Sequence, residues 1–161
     1  KINKKMKKLL VLTVVLLLTT MSYSQTYATF SPSYFTTPGT PAQKLSTSVE
    51  VGHQWDALSL GLCFGKLSFA KQSSGDTTLF LEVRPTMTLF QKGKVSNSVT
   101  IGFGHIFNAQ ENFLVEFSTG INYSVSSKVT CGVCIGNYYN SGEFTSSSNQ
   151  FVGLSVTYSF Q

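Results

Sequence analysis

The last eleven residues of the chain, FVGLSVTYSFQ, alternate strictly between two kinds of side chain. One set is apolar and consists of Val152, Leu154, Val156, Tyr158 and Phe160. The other set is mostly small or polar and consists of Phe151, Gly153, Ser155, Thr157 and Ser159. Because successive side chains of an extended chain point to opposite sides, this pattern predicts a β-strand with one apolar face. That face must be covered, either by a protein core or by lipid.

The first residues have the pattern of a secretory signal peptide. A basic segment with five lysines is followed by an apolar run over 9–18, and small residues precede Gln25. The apolar run is shorter than the ~20 residues that a transmembrane helix needs. We therefore predict a signal peptide over 1–24 and a single domain over 25–161.

The net charge of +5 belongs to the predicted export signal. Five of the 12 basic residues precede residue 25, which leaves seven basic and seven acidic residues in the predicted domain. A neutral domain offers no electrostatic attraction to nucleic acid, so we expect no nucleic-acid partner.

The three cysteines do not form a recognisable redox or metal site. Cys131 and Cys134 have a C-x-x-C spacing, but on a strand their Cα atoms would lie about 10 Å apart. That separation exceeds the ~7 Å limit for a disulfide, and the two side chains would face opposite sides. No second C-x-x-C completes a zinc site. Cys63 is interpreted as a small strand residue, and neither a metal nor a cofactor is expected.

The whole predicted domain reads as strands separated by turn residues. We predict eight strands, at about 26–36, 45–55, 58–70, 77–90, 95–107, 113–126, 129–139 and 150–161. The connections alternate between long and short along the chain. This alternation is typical of an antiparallel meander with short turns at one end and longer loops at the other.

The polar faces of these strands indicate which way the apolar faces point. They are rich in Ser, Thr, Gly and Asn, and residues 25–161 contain only 14 charged side chains. A face exposed to water would carry more charge, whereas the narrow interior of an eight-stranded barrel is filled by such side chains. Aromatic residues near both predicted ends also match the girdles of membrane barrels. The apolar faces are therefore predicted to contact lipid.

The closing strand carries a family resemblance. Its apolar set, Val152, Leu154, Val156, Tyr158 and Phe160, resembles the C-terminal assembly signal of outer-membrane barrels. With the signal peptide and eight strands, the chain resembles the small barrels of the OmpA/OmpX type. The resemblance implies an all-β, eight-stranded antiparallel up-and-down transmembrane β-barrel in the outer membrane of a Gram-negative bacterium. It also implies contact with outer-membrane lipid and lipopolysaccharide, and with the barrel assembly machinery.

Ionisable residues on the predicted lumen face form a candidate site. Glu50, Glu82, Arg84 and Glu116 lie on this face, and Lys66 would join them if a bulge near it turned its side chain inward. The resemblance implies an ion-pair network across the lumen. Such a network either fixes the barrel geometry as a polar plug, which we favour, or forms a gated path for protons or ions.

Three functions remain open at this point. The favoured one is a non-enzymatic role in envelope structure or in surface interaction, with a ligand bound by extracellular loops such as NSGEFTSSSN. The second is a lipid-modifying enzyme using His105 with Glu111 and Ser118, although Ser118 is predicted to face the lumen. The third is a soluble periplasmic barrel of the lipocalin type, with its apolar face turned inward around a small hydrophobic ligand.

Overall fold

The computed structural model describes residues 24–36, 45–67, 79–107, 112–140 and 149–160. These residues form eight strands: β1 (Ser24–Phe35), β2 (Leu45–Trp55), β3 (Leu58–Lys66), β4 (Leu79–Lys92), β5 (Val95–Ile106), β6 (Asn112–Ser124), β7 (Val129–Asn140) and β8 (Asn149–Phe160). The predicted strand boundaries agree within two residues, except at the end of β3, where 68–70 lie outside the described residues. Most of the predicted signal peptide, 1–23, also lies outside them.

The eight strands close into one antiparallel barrel. Each strand pairs with the next along the chain, and β8 pairs with β1 to complete the ring. Closure satisfies the backbone hydrogen bonds that an open sheet would leave at its edges. The predicted all-β, eight-stranded up-and-down architecture is confirmed. None of the described residues belongs to a helix that is long and apolar enough to cross a membrane.

The two ends of the barrel differ in how the strands are connected. At one end, here called the turn end, short turns join β2 to β3, β4 to β5 and β6 to β7. Asp56 and Gly93 begin the first two of these turns with positive φ angles of 48° and 61°. Aspartate and glycine are among the residues that tolerate this conformation. The opposite end, here called the loop end, carries the longer connections.

The apolar side chains of the strands face outward. In the last strand the five residues of the predicted assembly signal are each at least 40 % exposed, and Phe151 on the opposite face is buried. Leu58, Leu60, Leu62 and Phe64 of β3 are likewise exposed. This arrangement is the reverse of a lipocalin-type barrel, in which the apolar face would line the interior. The structure thus disfavours that alternative.

The predicted bulge near Lys66 is wrong. Pairing of β3 with both neighbouring strands runs without a shift from Leu58 to Lys66. The apolar residues of β3 stand at even-numbered positions up to Phe64, whereas the next one, Leu67, stands at an odd-numbered position. The reason is that Leu67 faces inward and is buried at the loop end. A register shift occurs instead in β4, between Thr88 and Phe90, where the strand pairs with β5.

Candidate functional site

The inward side chains divide the barrel interior into three zones along its axis. Nearest the loop end is a seal of apolar side chains. An ion cluster follows in the middle, and a polar vestibule extends from there to the turn end. The seal consists of Phe35, Leu67, Phe80, Ile106, Leu114, Tyr138 and Phe151. The ion cluster consists of Glu50, Glu82, Arg84 and Glu116.

Arg84 is the centre of the ion cluster. Its Nη1 lies 2.8 Å from Oε2 of Glu50, and its Nη2 lies 2.8 Å from Oε1 of Glu116. Both contacts are short enough to be charge-assisted hydrogen bonds. The guanidinium thus bridges β2 and β6 from its own strand, β4. The ion cluster thereby ties three walls of the barrel together across the lumen.

Two hydroxyl groups also donate hydrogen bonds to the paired carboxylates, and Oε2 of Glu116 is left without a donor. The Tyr27 hydroxyl donates a hydrogen bond of 2.6 Å to Oε1 of Glu50. The Ser118 hydroxyl donates one of 2.6 Å to Oε1 of Glu116. Buried carboxylates are stable only when such donors replace the water they have lost. Tyr27 extends the network to β1.

Glu82 is held less completely than its two partners. Its side chain is fully buried, and Oε2 lies 3.9 Å from Nε of Arg84, which is an ion pair but too long for a hydrogen bond. Three carboxylates surround one guanidinium. Glu50 and Glu116 form the two short contacts with Arg84, and Glu82 forms only the longer one. The cluster has no other basic side chain among the described residues.

Two glycines make room for these carboxylates on the inner wall. A Cβ atom placed on Gly61 would collide with the side chain of Glu50, and one on Gly102 would collide with that of Glu82. Gly61 pairs with Arg84 across β3 and β4, and Gly102 pairs with Glu116 across β5 and β6. The sequence therefore places its smallest residue opposite its largest polar groups, as a narrow barrel requires.

The seal closes the loop half of the lumen. Its seven members are at most 5 % exposed. The Tyr138 ring stacks on Phe151 with 4.8 Å between ring centroids, and Phe35 and Phe80 contact Tyr138 at 6.1 and 6.3 Å. Aromatic contacts at these separations add to the burial of apolar area. The seal is thus a small hydrophobic core inside the barrel.

The vestibule is a cavity of about 690 Å³ that reaches from Arg84 to the turns. Its walls carry hydroxyl and amide groups, several of which pair across neighbouring strands. Thr86 and Thr100 share a hydrogen bond of 2.7 Å, Thr29 and Thr157 one of 2.8 Å. A polar cavity of this size accommodates water readily. The described lumen therefore has room for water in its turn half and is closed in its loop half.

Lys66 does not belong to the ion cluster, and its predicted place there is wrong. Without a bulge, Lys66 continues the outward phase of Leu62 and Phe64 on β3. Its side chain is half-buried at the loop end of the outer face. The other four predicted members, Glu50, Glu82, Arg84 and Glu116, lie together as described.

The candidate residues for an enzyme are separated by the barrel wall. His105 is exposed on the outer face, where its ring contacts Phe107 at 5.4 Å. Ser118 is buried in the lumen and donates to Glu116. Glu111 lies outside the described residues. The Ser118 hydroxyl is thus out of reach of the His105 ring.

The cysteines follow the strand geometry expected from the sequence. Cys131 is exposed on the outer face of β7, and Cys134 lines the vestibule. Both are free thiols, as is Cys63, which is buried beside Arg84 with 3.7 Å between its Sγ and Nη1. The described residues contain no group of His, Cys, Asp or Glu side chains that could hold a metal ion.

Sequence reasoning missed the seal and the vestibule as units. The alternation predicts that Phe151 faces away from the apolar surface, but a single strand does not show which residues of the other strands lie at the same level along the barrel axis. The sequence does contain one indication of the seal. On most strands, the inward-facing positions carry an apolar residue only at the end next to a long connection.

Comparisons with known proteins agree with the fold. No protein-family model and no curated protein sequence matches the chain. Among solved structures, the N-terminal β-barrel domain of Pseudomonas aeruginosa OprF has a TM-score of 0.65 and 12% identity, covering 84% of this chain and 97% of that one. Neisserial surface protein A (NspA) has a TM-score of 0.56 and 14% identity, covering 84% and 95%.

A third similar structure is a de novo designed protein, TMB2.3. Its TM-score is 0.60 at 15% identity, and the match covers 87% of this chain and 98% of the design. Because a designed protein shares the fold, the fold by itself does not specify a biological role. The comparisons show that this chain has the fold of the small eight-stranded outer-membrane barrels that its sequence resembles.

Proposed function

We propose that the chain is a non-enzymatic outer-membrane β-barrel protein with an envelope-structural role or a surface-interaction role carried by its extracellular loops. The observation that carries this proposal is the outer face. Large apolar side chains such as Leu62, Ile121 and Leu154 are 52, 61 and 56 % exposed, and similar residues surround the barrel. A protein in water rarely exposes apolar patches beyond a few hundred Å², whereas lipid covers such a surface.

Strand length and aromatic placement support the same proposal. The strands contain between 9 and 14 residues, and a tilted strand needs about 9–11 to cross a bilayer. Tyr123, Tyr158 and Phe160 lie on the outer face near the turn end, and Phe113 and Tyr139 near the loop end. Aromatic side chains at both rims match the two interfaces of a membrane.

The closed lumen supports a structural role over diffusion. The ion cluster and the seal occupy the middle and the loop half of the barrel. A solute entering the vestibule would have to displace both of them to cross. The ion cluster is therefore proposed to be a polar plug that fixes the barrel shape.

The loops are the proposed surface for interaction with the outside. The segment at 140–149, NSGEFTSSSN, is rich in hydroxyl and amide groups that suit polysaccharide, lipopolysaccharide or protein surfaces. Replacing 141–148 by a Gly-Ser segment of equal length should abolish binding of a loop ligand and leave the barrel folded. Screening of intact cells against these ligand classes, with the replaced variant as the control, tests the surface-interaction form of the proposal.

A lipid-modifying activity is not favoured, because His105 and Ser118 lie on opposite faces. His105→Ala should therefore leave the lipid A profile of expressing cells unchanged. A profile that differs between wild type and His105→Ala, with equal amounts of protein in the membrane, would establish the enzymatic alternative.

Fractionation tests the membrane assignment. The chain, expressed with its signal peptide in a Gram-negative host, should appear in the outer-membrane fraction. It should migrate differently on SDS gels before and after boiling, because a closed barrel resists detergent. A soluble periplasmic protein without a mobility shift would contradict the proposal.

A further inference from the structure

The turn end carries three exposed lysines in two neighbouring turns. Lys92 and Lys94 flank the β4–β5 turn, and Lys128 lies in the neighbouring β6–β7 turn, with all three exposed. The carboxylates of the strands do not balance them, because Glu50, Glu82 and Glu116 are enclosed around Arg84. In the described part of the chain, the three short turns therefore carry three lysines against one carboxylate, Asp56 in the β2–β3 turn.

The register shift in β4 places Lys92 on the outer face. Thr88 pairs with Ser98, but Phe90 pairs with Asn97, so Leu89 is an extra residue. Leu89 and Phe90 are consequently both exposed, at 54 and 58 %. A β-bulge changes the direction of every side chain that follows it.

The consequence of the bulge is visible at the end of the strand. Gln91 faces the vestibule opposite Ser96, and Lys92 lies opposite the exposed Val95. Without the extra residue, the phase would reverse, with Gln91 outside and Lys92 in the lumen. The bulge thus moves a cation from the barrel interior to its outer rim.

The Lys94 amine lies near an aromatic ring of the outer face, while the residue also borders the mouth of the vestibule. Its Nζ lies 6.0 Å from the centroid of Tyr123, which is 49 % exposed on the outer face. Tyr123 in turn pairs with Val95, the neighbour of Lys92. The two lysines therefore flank one apolar and aromatic patch.

Both lysine-bearing turns are anchored to the barrel. The Lys94 carbonyl accepts a hydrogen bond of 2.8 Å from the Ser124 amide, and the Lys128 carbonyl accepts one of 2.8 Å from the Ser159 amide. The Lys128 amide donates to Oγ of Ser126 at 3.2 Å. The backbone positions of the three cations are thereby fixed relative to one another.

We propose that Lys92, Lys94 and Lys128 form a binding site for the headgroups of anionic phospholipids in the leaflet that faces the turns. The inference rests on the proposed function, because it requires the outer face to lie in a bilayer. Lysines next to a membrane extend their amines toward headgroups, and phosphate diesters offer the complementary charge. The neighbouring outward residues Val95 and Tyr123 would contact the upper part of the lipid acyl chains.

The test uses the folded chain in a neutral detergent with equal amounts of phosphatidylglycerol and phosphatidylcholine. Native mass spectrometry measures the ratio of the two bound lipids. The wild type should prefer phosphatidylglycerol, and each Lys→Gln change at 92, 94 or 128 should lower the ratio about five-fold. The triple variant should bring it close to one, and added salt should weaken the preference.

Two matched variants sharpen the test. Lys66→Gln removes a lysine at the loop end and should leave the ratio unchanged. Gln91→Lys combined with Lys92→Gln keeps the net charge but moves the cation into the vestibule, so it should lower the ratio as much as Lys92→Gln does. A triple variant with the wild-type ratio, or competition by millimolar inorganic phosphate alone, would overturn the inference.

Failure of the proposed function would look different. In that case, the wild type would give no boiling-sensitive band with any lipid or detergent. A wild type that gives this band but binds both lipids equally would overturn only the headgroup site.

Discussion

The two halves of the lumen are built on the same strands but have opposite character. In the loop half, the inward residues are large and apolar, and they pack into a seal around Tyr138 and Phe151. In the turn half, the inward residues are small and polar, and they leave a cavity of about 690 Å³. The ion cluster at Arg84 separates the two halves. A barrel of fixed width can thus be closed or hydrated according to the volume of its inward side chains alone.

This difference teaches how a small barrel can be stable without an open passage. The seal supplies a hydrophobic core, which the polar lumen of a narrow barrel otherwise lacks. The vestibule needs no such packing, because water can solvate its hydroxyl groups. The ion cluster contacts both the seal and the vestibule. On the side of the seal, Glu82 and Glu116 are buried away from water. On the other side, Arg84 and Glu50 line the vestibule.

The largest contrast is expected in thiol reactivity, which compares the two halves directly. Cys134 lines the vestibule, whereas Cys63 is fully buried beside Arg84. In a Cys131→Ser background, a small water-soluble thiol reagent should modify Cys134 and leave Cys63 unmodified, as mass spectrometry of the folded protein would measure. Equal modification of both thiols would show that the two halves are not separated.

Removing Arg84 should be the most destabilising single change. Arg84→Ala leaves three buried carboxylates without their cation, and breaking a buried ion pair in this way costs about 3–5 kcal/mol. Thr86→Val is the matched control, since Thr86 lies two residues further on the same face and should cost only about 0.5–1.5 kcal/mol. Urea unfolding followed by the boiling-sensitive gel shift measures both. An unchanged midpoint for Arg84→Ala would remove Arg84 from any structural role.

Truncation within the seal should have a similar or slightly smaller effect. Leu114 is fully buried there, and a buried Leu→Ala change costs about 2–5 kcal/mol through lost contacts and the remaining cavity. Ser155→Ala, in the vestibule wall, should change stability by less than about 0.5 kcal/mol. The same urea titration compares them. Equal losses for both variants would contradict the distinction between a packed half and a hydrated half.

Much of this fold was predictable because a strand records its two faces in alternate residues. The period of two in β8, for example, was enough to predict that Val152 and Phe160 share an outward face. The inward direction of Glu50, Glu82, Arg84 and Glu116 followed in the same way. Their mutual distances did not follow, because they depend on the stagger between strands that are not adjacent in sequence.

The two errors concern places where the alternation changes. At Lys66 the phase change was interpreted as a bulge, whereas Leu67 is an inward member of the seal. At Leu89 a real bulge was missed, because two consecutive apolar residues, Leu89 and Phe90, do not show which of them is the extra one. In both cases, pairing with the neighbouring strand determines which way the side chain points, and the sequence of a single strand contains no information about that pairing.

The direction of the apolar face is the central claim, and tryptophan fluorescence tests it most directly. Trp55 is the only tryptophan of the chain, so Trp55→Phe provides an empty background. In that background, Val156→Trp and Thr157→Trp place the probe on neighbouring residues with opposite faces. In vesicles of brominated phospholipid, strong quenching at 156 and weak quenching at 157 is the predicted result. Stronger quenching at 157 than at 156 would mean that the polar face contacts lipid, and it would contradict the account.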